Sequence, residues 1–142
     1  MNWINEIRVL VVEDFKPFRQ FIRKTLATRP GLQIVDEVSD GTEAVQKAEE
    51  LKPDLVLLDI GLPTLNGIHA ARQIRKLIPE SKIIFVSQES GADVVEEVLS
   101  LGASGYVVKT RAASDLLAAV EAVLAGREFG FTGSVSQAPA AD

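Results

Sequence analysis

Ile7-Arg8-Val9-Leu10-Val11-Val12-Glu13-Asp14 is a β-branched, nearly unbroken apolar run that stops on two adjacent carboxylates. Its length suits a strand, and its continuous hydrophobicity suits a strand covered on both faces of a parallel sheet. Outward from it, the same kind of run returns as Gln33-Ile34-Val35-Asp36-Glu37-Val38, Leu55-Val56-Leu57-Leu58-Asp59, Lys82-Ile83-Ile84-Phe85-Val86-Ser87 and Gly105-Tyr106-Val107-Val108. The second run is the most polar, which places it at a sheet edge. Between the runs lie helical stripes: Phe15, Phe18, Ile22, Leu26; then Ala44, Val45, Ala48, Leu51; then Ile68, Ala71, Ile74, Ile78; then Val94, Val95, Val98, Leu101; and finally Leu116, Leu117, Val120, Val123, Leu124. Asp14 is the expected N-cap of the first helix, and Asp40 with Glu43 resembles a capping box at the second. Gly102 and Gly126 fall where helix C-caps belong, and Pro30, Pro53, Pro63 and Pro79 mark joins.

Five strand–helix units in one chain of 142 residues predict an α/β doubly wound parallel sheet with helices on both faces. Such sheets bind ligands at the carboxyl ends of their strands, so the chemistry belongs just after residues 12, 38, 59, 87 and 108. Composition narrows that chemistry. There is no cysteine and a single histidine, His69, which removes thiolate chemistry and multi-histidine metal cages. The net charge of -5 shows no basic stripe, so this chain alone is not expected to bind nucleic acid. No apolar run approaches the roughly 18 to 20 residues of a membrane span, and the first residues lack the pattern of a signal peptide. A cytoplasmic protein without membrane contact is the expectation.

The strand ends carry a pattern. Glu13 and Asp14 follow the first strand and Asp59 ends the third. Carboxylates that close repel one another unless a cation offsets them, and an all-oxygen set suits a hard ion such as Mg²⁺ or Mn²⁺. From Glu13 and Asp14 alone a second reading stands equally: a solvated turn with Asp14 capping the helix. Ser87 ends the fourth strand and Lys109 follows the fifth, a hydroxyl and an ammonium of the kind a phosphoryl oxygen needs. Acid pair, lone acid, hydroxyl and lysine thus fall in order at the ends of strands one, three, four and five.

With these residues in view the chain resembles the receiver domains of two-component response regulators. The likeness rests on Val9 to Asp14, Pro53 to Ile60, Leu62-Pro63 with Asn66-Gly67, and Gly102 to Lys109. It runs from about Ile7 to Gly126 and is most like receivers that precede a LuxR/NarL-type helix-turn-helix, judging by Gly102 to Leu116. The resemblance implies a flavodoxin-like (βα)5 sandwich with strand order 2-1-3-4-5. It implies Asp59 as the phosphoacceptor, served by a sensor histidine kinase or phosphotransfer protein. It further implies Mg²⁺ held by Asp14 directly, by Glu13 through water, by Asp59 and by the Gly61 carbonyl. Lys109 and Ser87 then contact the phosphoryl group, and Tyr106 is the switch aromatic that turns inward. The implied role is a signalling switch and not a turnover enzyme, controlling transcription through an output domain and forming a homodimer on phosphorylation, through either the fourth and fifth helices or the first and fifth. Residues 1–126 form the expected receiver, and 127–142 a flexible tail or the start of a linker.

Three positions depart from the family pattern. Gln88 stands where a small residue is common, Thr110 where proline is common, and Gly61 leaves one flank of the acceptor bare. The alternative from another class is a Mg²⁺-dependent phosphohydrolase of the haloacid dehalogenase type. That chemistry needs a second aspartate two residues after the nucleophile, where Gly61 sits.

Overall fold

The computed structural model describes residues 6–130. Five strands, β1 (Ile7–Val12), β2 (Leu32–Val38), β3 (Leu55–Leu58), β4 (Lys82–Ser87) and β5 (Gly105–Val108), alternate with α1 (Lys16–Ala27), α2 (Gly41–Leu51), α3 (Gly67–Leu77), α4 (Ala92–Ser100) and α5 (Ala112–Leu124). A single turn of 3-10 helix over Lys109–Arg111 joins β5 to α5. The strands pair in parallel in the order β2-β1-β3-β4-β5, the doubly wound arrangement the alternation predicts. β2 lies at the edge, where Asp36 and Glu37 are half-buried and Gln33 is exposed. Its register against β1 skips Val35, a bulge at the open side of the sheet.

Two apolar layers hold the sheet. Leu10, Val12, Val56, Leu58, Phe85 and Tyr106 face α2, α3 and α4, while Val9, Val11, Leu57, Ile84, Val86 and Val107 face α1 and α5. Adjacent residues of each strand serve opposite layers, which is why the strands read as unbroken apolar runs.

The helix ends show where local signals hold and where they yield. Asp40 caps α2 by accepting the Glu43 N–H at 2.7 Å. Gly102 (φ +98°) and Gly126 (φ +86°) turn the chain after α4 and α5. Asp14 does not cap α1. Phe15 is the N-cap and makes no side-chain bond, and Pro17 fixes the first turn. The Asp14 carboxylate instead joins an acidic cluster at the strand ends, and one carboxylate does not serve both places. The Lys109–Thr110 peptide is trans, there being no cis bond among the described residues.

The expected tail does not leave the sheet at Gly126. Phe129 is 1% exposed and bridges Gly105 at the edge of β5. Its signal escaped pattern reading because an aromatic between Glu128 and Gly130 has no period. The remainder of the expected tail, 131–142, lies outside the described residues, as do residues 1–5.

Candidate functional site

β1 and β3 are neighbours in register, Val12 opposite Leu58, so the residues that follow them emerge side by side. The Asp59 N–H donates to the Val12 carbonyl oxygen at 3.1 Å, which sets the start of the β3–α3 loop beside Glu13. Carboxylate oxygens of Glu13, Asp14 and Asp59 then lie within 4.8 Å of one another. The α3 N-terminus closes in behind them: a Cβ on Gly67 would stand 1.9 Å from the Asp59 carbonyl oxygen, so only glycine fits there.

Lys109, delivered by β5, reaches into this cluster. Its Nζ donates to Glu13 Oε2 at 3.0 Å and to Asp59 Oδ2 at 3.1 Å, and it sits 4.8 Å from the centroid of the Phe18 ring. Glu13 is 1% and Asp59 7% exposed, whereas Asp14 is open to solvent. Glu13 Oε2 also accepts the Phe15 N–H at 3.0 Å, and Asp59 Oδ1 accepts the Ile60 N–H at 2.7 Å. Glu13 Oε1 is buried with no hydrogen bond, although the lysine stands 2.9 Å away outside bonding geometry. Burial pushes the Glu13 carboxyl above its usual range, and the bond from Lys109 only partly opposes this. For Lys109 burial works downward, but the bonds to Glu13 and Asp59 outweigh it and hold the ammonium above the usual lysine range.

Ser87 and Tyr106 arrive from the neighbouring strand pair, with Ser87 in register with Val108. Ser87 is 2% exposed, and its Oγ accepts the Glu89 N–H at 3.3 Å. Tyr106 is fully buried; its ring stacks on Phe85 at 6.3 Å, and its hydroxyl donates to the Glu89 carbonyl oxygen at 2.8 Å. Burial raises the Tyr106 hydroxyl above the ordinary phenol range. An open cleft of about 310 Å³ joins these groups, lined by Asp14, Phe15, Asp59, Gly61, Ser87, Gln88, Glu89 and Lys109.

Of the site residues singled out in the sequence, Asp14, Asp59, Gly61, Ser87 and Lys109 line the cleft, while Glu13 and Tyr106 lie buried behind it, bonded to Lys109 and to the Glu89 carbonyl oxygen. Three contributors were not singled out. Phe15, 60% exposed, forms the rim, and Phe18 lies under the lysine; both read as ordinary members of a helix stripe. Thr64 adopts φ +64° and donates to Asp40 Oδ1 at 3.2 Å, tying the β3–α3 loop to α2, and a β-branched residue carries no sequence signal for that conformation.

The model of the response regulator receiver domain matches residues 9–121. The chain belongs to this family. The receiver is 34% identical over 122 residues to the transcriptional regulatory protein DegU of Brevibacillus brevis, covering 86% of this chain and 52% of DegU. A solved two-component response regulator of the LuxR family from Aurantimonas sp. SI85-9A1 superposes with a TM-score of 0.83 at 34% identity, over 88% of this receiver and 89% of that chain. The CheX-CheY-BeF3-Mg+2 complex from Borrelia burgdorferi contains a chain that superposes at 0.80 with 27% identity, over 84% and 90% of the two chains. The receiver spans about half the length of the first curated relatives it matches. Nothing in the cleft favours a phosphohydrolase, and Gly61 offers no second carboxylate. No helix among the described residues is long and apolar enough to cross a membrane.

Proposed function

We propose that Asp59 accepts a phosphoryl group from the phosphohistidine of a sensor histidine kinase or phosphotransfer protein, and that the receiver thereby switches a protein-contact surface that serves transcription control through an output domain. The observation that carries this reading is the placement of Asp59, buried between Lys109 and the Ile60 N–H, with its carboxylate lining the open cleft. A carboxylate oxygen of Asp59 forms the new O–P bond while the P–N bond breaks, and its electron pair leaves with the imidazole. Lys109 Nζ offsets charge on the transferring group, the Ser87 hydroxyl donates to one of its oxygens, and the chain's main contribution is position. A phosphorylation-dependent homodimer is the surface change this reading expects. The cycle of gain and loss of the phosphoryl group is the receiver's own, not turnover of a separate substrate.

Mg²⁺ fits the residues present. The donor set is all oxygen, and the buried Glu13 Oε1 beside the Asp14 and Asp59 carboxylates makes no hydrogen bond and has only the Lys109 charge near it. Glu13, Asp14, Asp59 and the Gly61 carbonyl would hold the ion, which supplies positive charge against the phosphoryl oxygens when bound. The BeF3-Mg+2 complex of the Borrelia relative supports this assignment. Asp14→Asn is expected to weaken Mg²⁺ binding by about tenfold or more, some 1.4 kcal/mol, while the metal-free protein melts at or above the wild-type temperature because one repelling charge is gone. Thermal melts across a Mg²⁺ titration check both. Equal stabilisation of wild type and variant by the metal overturns the ligand assignment.

Gln88 is exposed on the cleft wall beside Ser87. Truncating it widens the approach for a small donor, so Gln88→Ala should speed phosphorylation by acetyl phosphate about threefold, under 1 kcal/mol of barrier. A rate equal to or below wild type, read by mass spectrometry over time, refutes the access argument.

A further inference from the structure

Phe129 lies beyond the last helix and is nevertheless fully packed. Gly126 turns the chain back, and the Arg127 N–H donates to the Ala122 carbonyl oxygen at 2.8 Å. From there the chain runs along β5: the Tyr106 N–H donates to the Phe129 carbonyl oxygen at 2.8 Å, and the Phe129 N–H donates to the Ser104 carbonyl oxygen at 3.2 Å. β5 is the outer strand opposite β2, so Arg127–Gly130 covers part of an edge that would otherwise stand open.

Tyr106 therefore carries two tethers. Its hydroxyl bonds the Glu89 carbonyl, and the Glu89 N–H in turn bonds Ser87 Oγ at the cleft. Its main-chain N–H bonds Phe129. The two aromatic side chains lie in opposite layers, Tyr106 with α2 to α4 and Phe129 with α1 and α5. What connects them is the β5 backbone.

On the reading of Asp59 as phosphoacceptor, we propose that Phe129 is a positioning residue: docked on β5, it holds Tyr106 and through it the Ser87–Glu89 loop, so that loading of the cleft and docking of Arg127–Gly130 are thermodynamically coupled. A ligand that engages Ser87 favours the loop position in which the Glu89 carbonyl meets the tyrosine hydroxyl. That position requires the Tyr106 backbone in place, which pairing with β4 fixes on one side and the Phe129 carbonyl on the other. Coupling of this kind is reciprocal, so a loaded cleft strengthens the docking and loss of the docking weakens the loading. The link between the cleft and the Arg127–Gly130 segment is the Tyr106–Phe129 main-chain hydrogen bond.

The test uses beryllofluoride with Mg²⁺ as the phosphoryl mimic on the full chain, with binding measured by calorimetry and Tyr106 amide exchange by NMR. Phe129→Ala is expected to bind the mimic at least about fivefold more weakly, the low end of measured couplings, and Phe129→Leu to bind close to wild type. Leu26→Ala, a cavity in the same layer on α1, lowers the melting temperature but leaves the affinity unchanged. In wild type the Tyr106 amide exchanges more slowly when the cleft is loaded, a readout that needs no variant to fold. Equal affinity in wild type and Phe129→Ala, a loss in Leu26→Ala as large as that in Phe129→Ala, or Tyr106 exchange indifferent to loading each overturns the coupling while leaving the phosphoacceptor reading intact. A wild-type chain that takes up no beryllofluoride overturns that reading and the coupling with it.

Discussion

Incubated with acetyl phosphate and Mg²⁺, the wild-type receiver is expected to gain a single phosphoryl adduct in intact-mass spectra, and Asp59→Asn to gain none. The expectation rests on what distinguishes three neighbouring carboxylates. Glu13 is 1% exposed and closed off from a donor, with Oε2 already holding Phe15 and Lys109. Asp14 is open to solvent but has no bond to the lysine, so a phosphoryl group there would lack its compensating charge. Asp59 alone combines a place on the cleft wall with a direct bond to Lys109. An amide in its place is a poor nucleophile, and the rate should fall beyond about a thousandfold, roughly 4 kcal/mol in the barrier. Removing Mg²⁺ with a chelator should suppress the wild-type adduct as well. An adduct that persists on Asp59→Asn, or that peptide mapping assigns to Asp14, refutes the assignment.

Much of this site is legible in the sequence because Glu13, Asp59, Ser87 and Lys109 are each the first polar group after an apolar run. Asp59, Ser87 and Lys109 could be placed without knowing a single contact, since parallel strands end on one side of the sheet and deliver their next residues there. Asp40 was equally legible, because its side chain needs only the N–H three residues along. Asp14 was not. A local capping rule competes there with a tertiary demand, and the acidic cluster wins. Phe18 and Phe129 escaped for the complementary reason. Helical spacing explains Phe18 fully, and nothing in its pattern announces a lysine arriving from the far end of the chain. Phe129 has no pattern at all, and its burial depends on β5 presenting an edge for it to cover. What sequence leaves out is contact between elements that no local rule joins.

Lys109→Met is expected to separate the two roles of the lysine. The salt bridges of Glu13 and Asp59 both run to this one ammonium, and methionine keeps an unbranched stem while removing the charge. Without it Glu13 and Asp59 face each other and Asp14 with no cation. Breaking one partner of a buried pair costs about 3 to 5 kcal/mol. The low end applies here, because Glu13, already held above its usual range by burial, relieves part of the strain by taking up a proton. For a domain of this size about 3 kcal/mol is a fall of about 10 °C in melting temperature. Mg²⁺ held by Glu13, Asp14 and Asp59 would supply positive charge to the cluster, so it should raise the melting temperature of Lys109→Met by more than it raises that of wild type. Phosphoryl acceptance should not recover with it. The ammonium acts on charge that develops during transfer, and losing one such group costs about a hundredfold or more in rate. Melts with and without Mg²⁺, set beside phosphorylation time courses at saturating metal, read the two effects independently. A Lys109→Met protein that is as stable as wild type without metal, or that accepts the phosphoryl group at the wild-type rate, contradicts the role assigned to the lysine.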